Sequence, residues 1–161
     1  MKVAAAPFLF VLFIALAVGP LIGGVTAVAA RSSSTGSTAP LFAWVPAGGY
    51  PDRFPFGQCT WWAAYNYPVS WGGDARDWLG NARAGGRATS DEPSIGAIVV
   101  YRPGGSYSPL GHVAIVVAVG PTAYTVSEMN APAWGRISTR VIARPDNDVA
   151  GFIPRHGNDA P

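Results

Sequence analysis

Cys59 is the only cysteine in the chain, and its surroundings suit a reactive thiol. It lies within Phe56-Gly57-Gln58-Cys59-Thr60-Trp61-Trp62-Ala63-Ala64-Tyr65. Gly57 permits an unusual backbone angle or a close approach just before the thiol. Thr60 to Tyr65 has few helix breakers, so the stretch predicts a helix that begins at the cysteine. Free backbone N–H groups and the positive dipole end gather at such a start and favour a thiolate, the nucleophilic form. A free cysteine also packs as a small hydrophobe, and on this stretch alone that plainer role stays open.

A thiol nucleophile needs a base, and the base needs an orienting group. The chain has two histidines. His156 sits in a polar tail. His112 sits where a loop enters the most apolar strand of the chain, a position both anchored and reachable. Val113 to Val119 reads as that strand, Gly120-Pro121-Thr122 as a turn, and Ala123 to Asn130 as the returning strand. If Val119 faces Ala123, His112 falls opposite Asn130, and Glu128 lies one same-face step away. Either Glu128 or Asn130 could then hold the second ring nitrogen and fix the tautomer. A slip of one residue would move His112 to the other face. Taken singly, His112 is also readable as a satisfied strand-end histidine, Glu128 as a solvated carboxylate and Asn130 as a turn residue.

Other chemistries find little support. One cysteine and one anchored histidine fall short of a zinc set. Ser106, Ser108 and Ser127 lie outside any G-x-S-x-G elbow. Asp52 and Asp146-Asn147-Asp148 make no D-x-D-x-D-G calcium loop. No metal or other cofactor is expected.

The elements that must position these residues read as helices first, then strands. Trp71 to Trp78 looks like a turn opening a second short helix, with Asp74 as its N-cap. Residues 80–94 read as breaker-rich loop. A buried strand follows up to Tyr101, then a loop rich in glycine and proline, then the hairpin. Ile137 to Ala143 and Val149 to Ile153 are weaker strands. This order predicts an α+β domain with its helices packed on one face of an antiparallel sheet.

Ten of the eleven basic residues are arginine, scattered along a chain of net charge +2, so no basic stripe marks a nucleic-acid binder. Residues 3–30 form an uncharged, largely apolar run after Lys2. It reads either as a signal peptide with a small-residue site at Ala27-Val28-Ala29, or as a single-span anchor longer than the roughly 20 residues that cross a bilayer. Both place the rest of the chain outside, either secreted or held at the membrane. Membrane contact is expected only through residues 3–30, if they are retained. Residues 31–49 read as a flexible linker, 50–155 as the folded domain and 156–161 as a tail. In an exported domain an unpaired cysteine suggests an intermolecular bond or a thiol kept for its chemistry.

Five blocks, in order, resemble the CHAP domain, the cysteine, histidine-dependent amidohydrolases/peptidases: Gly57-Gln58-Cys59-Thr60-Trp61, Gly73 to Trp78, Pro93 to Ala97, Gly111-His112-Val113-Ala114-Ile115 and Ser127-Glu128-Met129-Asn130. The resemblance spans residues 50–155. It implies a small papain-like fold and a hydrolase whose partner is peptidoglycan, acting on an amide of the stem peptide or cross-bridge as an N-acetylmuramoyl-L-alanine amidase or an endopeptidase. It implies Cys59 as nucleophile, His112 as general base, Glu128 as the residue orienting the histidine, Asn130 as a fourth member and Gln58 as an oxyanion donor. A monomer is expected. The competing expectation is a non-catalytic wall-binding module, or a scaffold part of a secretion, conjugation or division complex.

Overall fold

The computed structural model describes residues 44–157. The expected signal or anchor, the linker up to residue 43 and the end of the tail lie outside the described residues. Two short helices precede five strands: α1 (Cys59–Asn66), α2 (Trp78–Ala84), β1 (Ile98–Tyr101), β2 (His112–Val119), β3 (Ala123–Met129), β4 (Ile137–Ala143) and β5 (Val149–Ile153). The strands form one antiparallel sheet in the order β4-β3-β2-β1-β5.

Helix α1 starts at the cysteine, as the stretch predicts, with Gln58 in extended conformation before it. It stops at Asn66 because Tyr67 precedes Pro68, and a residue before proline is pushed out of the helical region. Ala63 and Ala64 are buried, and their small side chains let the helix sit close to the sheet. Asn66 ties the helix end to the incoming chain: its Nδ2 donates to the Trp62 carbonyl (2.8 Å), and its Oδ1 accepts from the Gly48 N–H (2.9 Å).

A 3-10 turn, Ala75–Asp77, leads into α2. Asp74 occupies the expected cap position, but its side chain makes no cap hydrogen bond. The helix continues through Gly80, within the stretch read as loop. Ala75, Trp78, Leu79 and Ala82 are all buried, the spacing of one helix face. Gly80 has open space around it. A glycine there costs about 1 kcal/mol, whereas each large side chain buried on the other face contributes about 1.5–3 kcal/mol. Packing outweighs the local preference.

The β2–β3 hairpin carries the site. At its turn Val119 pairs with Tyr124, one residue away from the expected partner Ala123. A bulge between Val116 and Ala118 then shifts the register, so that Val116 pairs with Val126 and Ile115 with Ser127. Continued in step, that register brings His112 opposite Asn130. Without the bulge, His112 and Glu128 would lie on opposite faces, since a one-residue shift exchanges the faces of a strand.

Both faces of the central strands are covered. On the helix side, Ile98, Val100, Val113, Ile115, Val117 and Ile153 pack with the buried residues of α1 and α2. On the other side Val99, Tyr101, Val116, Tyr124, Ile142 and Phe152 form a second cluster. Burial on two faces explains why β2 is an almost unbroken apolar run. The fold also begins before Tyr50: the Trp44 N–H bonds the Val117 carbonyl (2.6 Å), and the Arg155 guanidinium lies 5.2 Å from the Trp44 ring centre. Residues 44–49, within the expected linker, therefore pack on the domain.

Candidate active site

The start of α1 meets the start of β2. This brings Cys59 and His112 to the wall of one cleft, where the imidazole and the backbone N–H groups of Val113 and Thr60 favour the thiolate. His112 is 5 % exposed and Glu128 1 %. Glu128 Oε2 lies 3.0 Å from His112 Nε2, which leaves Nδ1 for the thiol. The structure thus brings Cys59, His112 and Glu128 into one chain of contacts.

Asn130 lies beside this chain rather than on the imidazole. Its backbone is left-handed (φ 64°), a conformation that asparagine tolerates better than most residues. From there its Nδ2 donates to Gln58 Oε1 at 3.1 Å. Of the two candidates for orienting the imidazole, Glu128 takes the ring nitrogen and Asn130 takes Gln58. Because Gln58 Oε1 accepts this bond, its amide N–H groups remain as donors beside the cysteine.

Two further residues complete the arrangement. Arg140 grips Glu128 with both arms, Nε to Oε1 at 2.9 Å and Nη2 to Oε2 at 3.0 Å. The same Nη2 donates to the Tyr107 hydroxyl at 2.7 Å. The Tyr107 ring stacks parallel on His112 (centroids 5.1 Å, planes within 5°), and Tyr101 stacks on Tyr107 (4.5 Å). Sequence reading missed both Arg140 and Tyr107. Glu128 pairs with Ser138, so Arg140 is the next same-face residue on β4. That relation is legible only once the β3–β4 register is known, and the seven-residue connection leaves the register free. Tyr107 lies in an irregular loop with no periodicity to place it.

The electrostatics alternate along the chain: thiol, imidazole, carboxylate, guanidinium. Burial alone would raise the Cys59 thiol. The hydrogen bond and charge of His112, with the N–H groups of Val113 and Thr60, outweigh it and hold the thiol below its ordinary value. Burial would likewise lower the imidazole, but hydrogen bonds to Cys59 and Glu128 and their charges push His112 up to about 9. Burial opposes ionisation of Glu128 too. Its bonds to His112 and Arg140 prevail, and its carboxyl is held below the usual range. All three directions favour a thiolate–imidazolium pair over the neutral thiol and imidazole.

These groups line a cleft of ≈ 800 Å³, together with Gln58, Asp74, Tyr107, Asn130 and Pro132. Among the described residues no group of three or more histidine, cysteine or carboxylate side chains gathers as metal ligands. An activated thiol, a protonated imidazole and free N–H donors in one cleft can open an acyl bond by covalent catalysis.

Residues 49–130 match the CHAP domain family. A Staphylococcus aureus protein with the provisional name autolysin SsaALP is 35 % identical over 114 residues, covering 66 % of this chain and 41 % of that protein. A Streptococcus mutans protein with a provisional hydrolase name is 39 % identical over 71 residues, 43 % of this chain and 32 % of that protein. Among solved structures, an N-acetylmuramoyl-L-alanine amidase from Staphylococcus aureus superposes with a TM-score of 0.58 at 28 % identity, over 74 % of this chain and 36 % of the amidase. The chain spans about a third to two fifths of the length of the curated relatives it matches. It shares the α+β fold of the amidase structure, and over the 82 residues from 49 to 130 it carries the sequence signature of its group: this chain belongs to the CHAP domain family.

Proposed function

We propose that this protein is an exported peptidoglycan hydrolase that cleaves an amide bond of the wall peptide by cysteine nucleophilic catalysis. The observation that carries this reading is the continuous Cys59–His112–Glu128 chain in an open cleft, with the thiol held low and the imidazole high. The names of the Staphylococcus aureus relatives support peptidoglycan as the substrate.

The Cys59 thiolate attacks the amide carbonyl. Backbone N–H groups at the start of α1, with the Gln58 amide held by Asn130, receive the negative oxygen. The His112 imidazolium gives its proton to the leaving amine, and the neutral ring then takes a proton from the water that releases the acyl group. Glu128 keeps the ring in place and stabilises its charged form, and Arg140 holds Glu128. The apolar run at residues 3–30 supports export, through either a cleaved signal or a retained anchor.

Digestion of purified peptidoglycan, with products read by mass spectrometry, tests the reading and names the bond. Free lactyl groups with intact stem peptides identify an amidase. New ends within the stem or cross-bridge identify an endopeptidase. Binding without release would turn the assignment to a wall-binding module.

A further inference from the structure

Trp134 is 66 % exposed, and Phe56 beside it 59 %. Phe56 and Trp134 meet at the surface as one small apolar patch, and contiguous exposed apolar surface is where interaction sites are found. The tryptophan is held in place although it is open. Its ring lies on the α-carbon of Gly57, where a Cβ would come within 2.5 Å of Cε2 and Cζ2. The Gly135 N–H bonds the Gly57 carbonyl (3.1 Å), and the Asn130 N–H bonds the Arg136 carbonyl (3.1 Å), which ties down the turn that carries the ring. Phe56 meets Trp134 edge-on at 6.4 Å and Trp61 edge-on at 4.8 Å. The glycine beneath Trp134 is two residues from Cys59, and Ala131 and Pro132 of the same turn line the catalytic cleft.

The chemistry of this rim selects one part of the wall polymer. Residues 131–135 and 56–57 carry no charge. Elsewhere the cleft wall carries polar groups such as Ser106, Ser108 and Ser138, which suit the amides of a peptide. A neutral hexosamine ring presents a face of C–H groups that complements the electron-rich face of an indole. A ring fixed before binding also loses little freedom on contact. Resting on the hydrolase reading above, we infer that Trp134, with Phe56, forms a sugar-stacking subsite that takes the glycan strand of the substrate beside the nucleophile.

Binding to the full chain carrying Cys59→Ala, which prevents turnover, tests this with two probes: a peptide-free oligosaccharide of alternating N-acetylglucosamine and N-acetylmuramic acid, and a sugar-free stem peptide. Trp134→Ala should weaken oligosaccharide binding about three- to tenfold, with the stem peptide unaffected. Trp134→Tyr, which keeps a flat ring, should retain most of the affinity, and Phe56→Ala should lower it less than Trp134→Ala. If Trp134→Ala alters the fold by circular dichroism, the Trp134→Tyr and Phe56→Ala comparison decides. Unchanged oligosaccharide binding, equal loss for both probes, or no oligosaccharide binding by the parent would overturn the subsite. Wall hydrolysis by the Cys59 protein is scored separately. Hydrolysis without sugar binding refutes the subsite alone, and sugar binding without hydrolysis refutes the hydrolase reading alone.

Discussion

Four side chains in a row, Cys59, His112, Glu128 and Arg140, alternate in charge, and each sets the state of its neighbour. The thiol is lowered and the imidazole raised to about 9, so the thiolate–imidazolium pair occupies the pH window between the two. Alkylation of Cys59 by iodoacetamide should therefore persist to lower pH than alkylation of an ordinary thiol, and fall as acid protonates the lowered thiol. Hydrolysis should fall as pH rises through about 9, where His112 loses the proton that the leaving amine needs. In Glu128→Gln the upper limb should move down towards the ordinary histidine value of about 6.5, because the carboxylate that favours imidazolium is gone. Rate–pH profiles of the two proteins check this, and an unmoved limb would contradict the role of Glu128. Arg140→Met leaves the buried carboxylate with His112 but without its clamp. The guanidinium is partly open to water, so a loss of about 2 kcal/mol is expected in urea unfolding. The upper pH limb should stay high, because Glu128 still faces His112.

At the scale of elements, positions with no freedom surround the site. Gly111 introduces β2 at φ 74°, and a Cβ there would meet the backbone nitrogen of Arg76 at 2.9 Å. Gly111→Ala should cost roughly 1–3 kcal/mol, and it should lower hydrolysis by displacing His112. Gly80→Ala on the open face of α2 serves as its counterpart, with a stability gain of up to about 1 kcal/mol and unchanged activity. Thermal melts with a hydrolysis assay distinguish the two. The strands were legible because β-branched runs between glycine and proline turns are local signals. The bounds of β4 and β5 agree with those read from residue types alone. The extension of α2 through Gly80 was not legible, because the core that stabilises it is built from distant strands. The hairpin shows how a local reading can succeed at one end and fail at the other. The turn register is off by one, and the bulge at Val117, which no residue type announces, restores the pairing at His112. Cys59, His112 and Glu128 could be named because an isolated thiol, an anchored imidazole and a same-face carboxylate are each visible in the chain. Arg140 and Tyr107 could not, since a long connection and an irregular loop carry them. Asn130 was legible as a candidate near His112, and the structure has it lining the cleft, but its bond to Gln58 depends on a left-handed backbone at the strand end.

For the molecule as a whole, the reading requires the domain to face the wall. A C-terminal tag on the full chain should be removed by protease added to intact protoplasts, or be found in the medium. A tag shielded until lysis would contradict export. Retention with the membrane at full mass would identify residues 1–30 as an anchor, and release at reduced mass would identify them as a signal peptide. In the proposed reaction Cys59 and His112 together perform wall hydrolysis. The most direct measurement is clearing of purified walls by the native protein beside Cys59→Ala and His112→Ala, with wall binding measured in parallel. The native protein should clear the walls, while both variants should still bind them and lose clearing by about a thousandfold or more. Equal clearing by Cys59→Ala and the native protein would contradict that reaction.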